Sequence, residues 1–313
     1  MNAALFESQL TPLRTGIHTF LGLPLEVKPR PASGVVLGAP FDGGVIHRPG
    51  ARLGPWSLRA ATLGMGRLPM PLRLQRPEEE LREAVGGGWV DGGNLPTLPF
   101  GIPEALQAVE EGVAAWGPAR TLLLGGDHLM TLGALRAQAR RHGPLGLLML
   151  DAHQDAAGEG PWGTPLHHGS WLRRALEEGL LEGRRVLLVG LRAPRFDRTE
   201  LDFLARRGAR LWTPGDLRDP HLQGQLLGDI GRVGQGPAYV SLDLDALDPS
   251  VCPAVAEPVP GGLALREIHP LLHALGAWRD PWVGADIMEL SPTLPGAEDT
   301  ARVAAHLALH LMA

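Results

Sequence analysis

The stretch Leu147–Asp155, LLMLDAHQD, constrains the fold more than any other. Its opening run is apolar at every position, the pattern of a strand buried on both faces of a sheet. Asp151, His153 and Asp155 then follow at every second position. Buried charge is costly unless it is paired or bound to a metal. These residues therefore belong at a strand exit, where their side chains can converge on one ion or on two. Alone, they would more often be a polar loop whose aspartates cap a following helix. Two further stretches decide against that. Tyr239–Leu247, YVSLDLDAL, is a second apolar run ending in Asp243 and Asp245. In extended chain those two point the same way, roughly 7 Å apart. Thr121–His128, TLLLGGDH, is a third, ending in two glycines, Asp127 and His128. Open parallel sheets gather their ligands at such carboxyl ends.

Eight short strands are expected, near Gly34–Ala39, Gly87–Val90, Arg120–Leu124, Leu145–Leu150, Arg185–Val189, Ala209–Trp212, Ala238–Leu242 and Trp282–Ile287. Helical patterns fall between them at Pro103–Trp116, Met130–Arg141, Gly169–Leu181, Thr199–Arg207 and Leu265–Leu275. The first has proline at its start and Leu106, Val109 and Val113 along one face. Such alternation implies a mostly parallel sheet with helices on both faces, a three-layer α/β/α domain. No linker divides the chain, so one domain is expected, with residues 1–33 as an N-terminal extension and 34–313 as the core. The Gly- and Pro-rich segment Ala39–Arg59 reads as a loop over the strand ends.

A net charge of -5 with no basic block argues against nucleic acid. The single cysteine, Cys252, precludes a disulfide framework. There is neither a signal-peptide pattern in Met1–Phe20 nor an apolar run long enough to cross a bilayer. A cytoplasmic protein without membrane attachment is expected.

His128, Asp151, His153, Asp155, Asp243 and Asp245 form the candidate metal set. Oxygen and imidazole donors without thiol favour Mn²⁺, with Zn²⁺, Fe²⁺, Co²⁺ or Ni²⁺ also compatible. Four aspartates balance two divalent ions, which at about 3.5–4 Å separation can share a water and lower its pKa. His167 or His168 could shuttle a proton to a leaving group. Glu289, after the last strand, could hold a guanidinium through paired hydrogen bonds. His306 and His310 have metal-ligand spacing but no neighbouring carboxylate. They read as ordinary helix positions, as do His269 and His273, and His47 reads as loop surface.

From about Gly34 to Leu311 the sequence resembles the ureohydrolase superfamily of arginases, agmatinases and formimidoylglutamases. Four motifs carry the likeness in order: GGDH at Gly125–His128, DAHQD at Asp151–Asp155, SLDLDALDP at Ser241–Pro249, and the glutamate of MELSP at Glu289. The resemblance implies an arginase-like eight-stranded sheet and two Mn²⁺ per chain. One ion would be held by His128, Asp151, Asp155 and Asp243, the other by Asp151, His153, Asp243 and Asp245. It implies a catalytic His168, a guanidinium-binding Glu289, and an Asp155 that also accepts a hydrogen bond from a bridging hydroxide. It further implies a homotrimer or homohexamer. PFDGGVIHRPGARLGPWSLR and the segment His168–Arg192 resemble the agmatinase branch, so hydrolysis of agmatine or a close guanidino-amine to urea is expected. Guanidinobutyrate, aminopropylagmatine and formimidoylglutamate are the alternative substrates, and a metal-binding homologue with little turnover is the non-enzymatic alternative. Ala256 and Glu257 stand where the family carries a Gly-Thr pair.

Overall fold

A computed structural model describes residues 16, 18–67, 87–98, 101–158, 163–195, 197–278 and 282–312. Part of the expected N-terminal extension, residues 1–15 and 17, therefore lies outside the described residues.

Eight strands form one sheet: β1 Gly34–Gly38, β2 Trp89–Asn94, β3 Arg120–Leu124, β4 Leu145–Leu150, β5 Leu181–Val189, β6 Arg210–Trp212, β7 Ala238–Asp243 and β8 Trp282–Met288. Every pairing is parallel, in the order β2-β1-β3-β8-β7-β4-β5-β6. The central strands alternate their side chains between two cores. Leu122, Leu124, Leu148, Leu150, Val240 and Leu242 enter one. Leu123, Leu147, Met149, Leu188 and Tyr239 enter the other. Apolar residues on both faces are what made these strands legible as continuous hydrophobic runs.

The helices are α1 Gly54–Ala61, α2 Ile102–Ala115, α3 Met130–His142, α4 Trp171–Glu177, α5 Thr199–Arg207, α6 Pro214–Arg218, α7 Gln223–Val233, α8 Leu265–Ala274 and α9 Ala297–Met312. Leu58 of α1, Ile230 of α7, Ile268 of α8 and Leu307 of α9 cover one face of the sheet. Leu106 of α2, Leu132 of α3, Trp171 of α4 and Phe203 of α5 cover the other.

Two expectations are corrected. The segment Ala39–Arg59 is not all loop, because α1 begins at Gly54 with Pro55 in its first turn. The helix expected over Gly169–Leu181 ends at Glu177, because Gly179 takes a positive φ of 72° and β5 starts at Leu181. Ala301, Ala304, Leu307, Ala308 and Leu311 are buried within the chain.

Candidate active site

The four central strands, β3, β8, β7 and β4, are adjacent, and their carboxyl ends bring the candidate residues together. The two glycines before Asp127 permit this crowding. A Cβ at Gly126 would collide with the carbonyl oxygens of Phe41 and Ala39, and one at Gly125 with Met288. The Asp127 N–H donates to the Phe41 carbonyl at 2.8 Å, and the Glu289 N–H to that of Gly126 at 3.0 Å. Asp127 itself is a brace. Its carboxylate accepts the N–H groups of Gly44 at 2.7 Å and Leu129 at 3.1 Å. Burial, reinforced by the charge of Glu289, raises its pKa to about 7.

His128 Nδ1 faces carboxylate oxygens of Asp151 at 3.1 Å, Asp155 at 3.1 Å and Asp243 at 3.0 Å. His153 Nδ1 lies 2.9 Å from Asp245 and 3.5 Å from Asp151. Two groups of metal-binding composition result, His128/Asp151/Asp155 and Asp151/His153/Asp245, with Asp151 common to both. Backbone donors aim the carboxylates. The His153 N–H donates to Asp151 at 2.6 Å, that of Asp245 to Asp243 at 2.8 Å, and that of Ala152 to Asp245 at 3.0 Å.

The His128 tautomer follows from its surroundings. Ser241 Oγ donates its single proton to Asp286 at 2.7 Å, and Thr131 Oγ1 donates to the other Asp286 oxygen at 2.8 Å. Ser241 Oγ, 2.8 Å from His128 Nε2, is then left to accept, so Nε2 carries the hydrogen of a neutral ring. In that neutral ring Nδ1 would present a lone pair to three carboxylates. It and Asp151 Oδ2 are buried without a hydrogen-bond partner. Such a cluster requires positive charge between its members. The titration shifts agree. Burial opposes protonation of His128, but Asp151, Asp155 and Asp243 outweigh it and raise its pKa well above the usual value. Burial and the charges of Asp245 and Asp151 raise that of Asp243. The donor set fits two divalent cations.

Asp155 and Glu289 are two of the three described non-glycine residues with positive φ, at 46° and 68°. Held strain of this kind costs of order 1–3 kcal/mol and concentrates at functional sites. Trp171 Nε1 fixes Asp155 by donating to Oδ2 at 2.7 Å, and its ring lies 4.8 Å from that of His128. Glu289 Oε1 accepts the His128 N–H at 2.8 Å and contacts His168 Nδ1 at 3.0 Å. Glu289 Oε2 is buried and has no partner. Burial opposes the charged form of His168, but the charge and hydrogen bond of Glu289 raise its pKa to about 9. Both His167 ring nitrogens are buried and unpartnered, and burial lowers its pKa.

These residues open into a cavity of ≈ 620 Å³ whose outer wall includes Ile46, Arg195, Asp197, Glu200 and Glu257. Arg48 donates to the carbonyl oxygens of Ala256 at 2.6 Å and Val255 at 3.1 Å, while His47 stands 3.6 Å from Glu257. The segment after β1 is thereby tied across the rim. The positioning roles of Ser241, Asp286 and Trp171 were missed from sequence. Ser241 and Asp286 left a signal, because each is a polar residue inside an otherwise apolar strand and the two are register partners.

The arginase family model matches residues 32–313. The chain belongs to the arginase family. It is 33% identical to the guanidinopropionase of Pseudomonas aeruginosa, over 96% of this chain and 92% of that protein. It is 34% identical to the agmatinase of Chromobacterium violaceum, over 88% of this chain and 82% of that protein. The solved structure of proclavaminate amidinohydrolase from Streptomyces clavuligerus superposes with a TM-score of 0.82 at 33% identity, covering 95% of this chain and 96% of that one. This protein is thus an arginase-family amidinohydrolase, and its all-parallel sheet is the family's fold. Among the described residues, no helix is long and apolar enough to cross a membrane.

Proposed function

We propose that this protein hydrolyses a guanidino-amine of the agmatine type to urea and the free amine, with two Mn²⁺ ions per chain. His128, Asp151, Asp155 and Asp243 would hold one ion, and Asp151, His153, Asp243 and Asp245 the other. When bound, the ions supply the positive charge that lowers the pKa of a water and lets it act as nucleophile near neutrality. Asp155, fixed by Trp171, accepts a hydrogen bond from that water and orients it toward the guanidinium carbon. The new C–O bond forms as the C–N bond to the amine breaks. His168 delivers a proton to the departing nitrogen, and its raised pKa keeps that proton available at neutral pH. Glu289 holds the guanidinium.

The observation that carries this reading is the Glu289 carboxylate. One oxygen is occupied by His128 N–H and His168, and the other is buried without a partner beside the acidic cluster. Such an oxygen is poised to accept a guanidinium N–H.

The tail of the substrate meets the outer wall. There Asp197, Glu200 and Glu257 outnumber Arg195, which favours an ammonium over a carboxylate. Arg195 is the specific ground for a second reading, a guanidino acid whose carboxylate pairs with that residue, as the name of the Pseudomonas relative suggests. Urea release by the manganese-loaded protein, compared across agmatine, 4-guanidinobutyrate, 3-guanidinopropionate and arginine, tests both. The expected order places agmatine first, and a preference for either acid overturns the amine assignment. The same proposal includes one domain over the whole chain, a homotrimer or homohexamer, and a cytoplasmic location. A monomer mass in light scattering would refute the assembly.

A further inference from the structure

A second cluster of imidazoles lies outside the catalytic cavity. His306 and His310 stand one turn apart on α9, and His269 reaches them from α8. The ring centroids are 5.1 Å apart for His269 and His306, and 4.7 Å apart for the other two pairs. One nitrogen from each ring lies within 4.8 Å of both others. None of the three lines the catalytic cavity. His273, which shares the spacing on α8, is exposed and takes no part.

Imidazoles at such spacing gain little from packing where a buried polar nitrogen is left unshared. His269 Nε2 is buried with no hydrogen-bond partner, a cost normally offset by a donor, an acceptor or an ion. Burial lowers the pKa of His269, and the neighbouring His306 lowers it further. Burial also lowers that of His306. Burial thus favours the neutral form of these two rings, the form in which imidazole binds metals. A tetrahedral ion at about 2.0–2.1 Å from each nitrogen needs those nitrogens roughly 3.4 Å apart. The present nitrogens lie within 4.8 Å of one another, so binding would draw the rings together. All three residues are only half buried, so a fourth ligand position can face solvent.

We propose that His269, His306 and His310 form a mononuclear binding site for a borderline divalent transition-metal ion of the Zn²⁺ class. The site is separate from the carboxylate-rich centre and clips α8 to the C-terminal helix. The donor chemistry sorts the two sites. Three nitrogens without a carboxylate suit Zn²⁺ or Ni²⁺ over Mn²⁺ or Mg²⁺, whereas four carboxylates suit the harder ions. The clip also closes the chain segment that contains β8 and Glu289. An ion bound only in the folded state would stabilise that segment by linkage.

The test uses untagged full-length protein, first saturated with Mn²⁺, then equilibrated with Zn²⁺ and freed of excess metal. Total metal per chain is read by elemental analysis, because exchange of Zn²⁺ for Mn²⁺ at the catalytic centre leaves that total unchanged. The wild type should hold about one ion per chain more than the His269→Gln and His306→Gln variants. Its thermal midpoint should rise on Zn²⁺ addition, and theirs should not. Wild-type binding at the level of the catalytic centre alone overturns the proposal, whether or not the variants fold. So does an extra ion that persists in both variants.

Discussion

Glu289 Oε1 lies 3.0 Å from His168 Nδ1 and, on its other side, accepts the backbone N–H of His128 at 2.8 Å. A single oxygen thus couples the proposed proton donor to the segment carrying a proposed metal ligand. Removing the imidazole should leave the metals in place and slow proton delivery. His168→Ala should lower kcat by about 10²–10⁴-fold, the usual range for general acid–base catalysis, with metal content unchanged. The same loss in His167→Ala, with His168→Ala unaffected, would transfer the role to its neighbour.

The pH profile should carry the same signature. His168 is held protonated by Glu289 up to about 9. The donor form is full below that value and is lost as pH rises through it, so kcat should fall on the alkaline side. In His168→Asn that alkaline limb should vanish from what activity remains. An identical limb in both proteins would assign it to another group.

Asp151 belongs to both clusters, and the proposed ligand sets share Asp243 as well, whereas His128 and His153 each belong to one. Asp243→Ala should therefore lose both ions and all activity. His128→Ala should retain roughly one ion, with a weakened second site. Elemental analysis after dialysis distinguishes the cases, and two tightly held ions in Asp243→Ala would refute the ligand assignment.

Ser241 touches His128 only through Nε2, away from the acidic cluster. Ser241→Ala removes the acceptor that selects the tautomer and leaves Asp286 short of a donor. Metal affinity should drop about 10–100-fold, the usual cost of losing such a partner. Competition with a chelator measures this. Unchanged affinity would mean that packing against Trp171 alone orients the ring.

Glu257 lines the cavity 3.6 Å from His47, with 38% of its side chain exposed. If it favours cationic tails, Glu257→Thr should lower the ratio of kcat/KM for agmatine over 4-guanidinobutyrate. Solvent screening limits the change to about 1 kcal/mol, roughly fivefold. An unchanged ratio would leave Arg195 or the Asp197–Glu200 wall as the determinant.

The sequence by itself determined the elements and their chemistry. Strands buried on both faces need unbroken apolar runs, and charge cannot continue such a run inward. Asp151, Asp243 and His128 could only stand at strand exits. Hydrophobic period does not encode strand order, which is set by crossovers and packing between distant segments. Only the tertiary structure placed β8 between β3 and β7, so that Glu289 stands beside His128. The same holds for the braces. Ser241 reads as one hydroxyl in an apolar strand until the pairing of β7 with β8 sets it against Asp286. Trp171 reads as core until α4 turns its indole nitrogen onto Asp155. His306 and His310 share a spacing that local sequence leaves empty of meaning. The packing of α8 against α9 adds His269, and that third imidazole turns a helix repeat into a donor set.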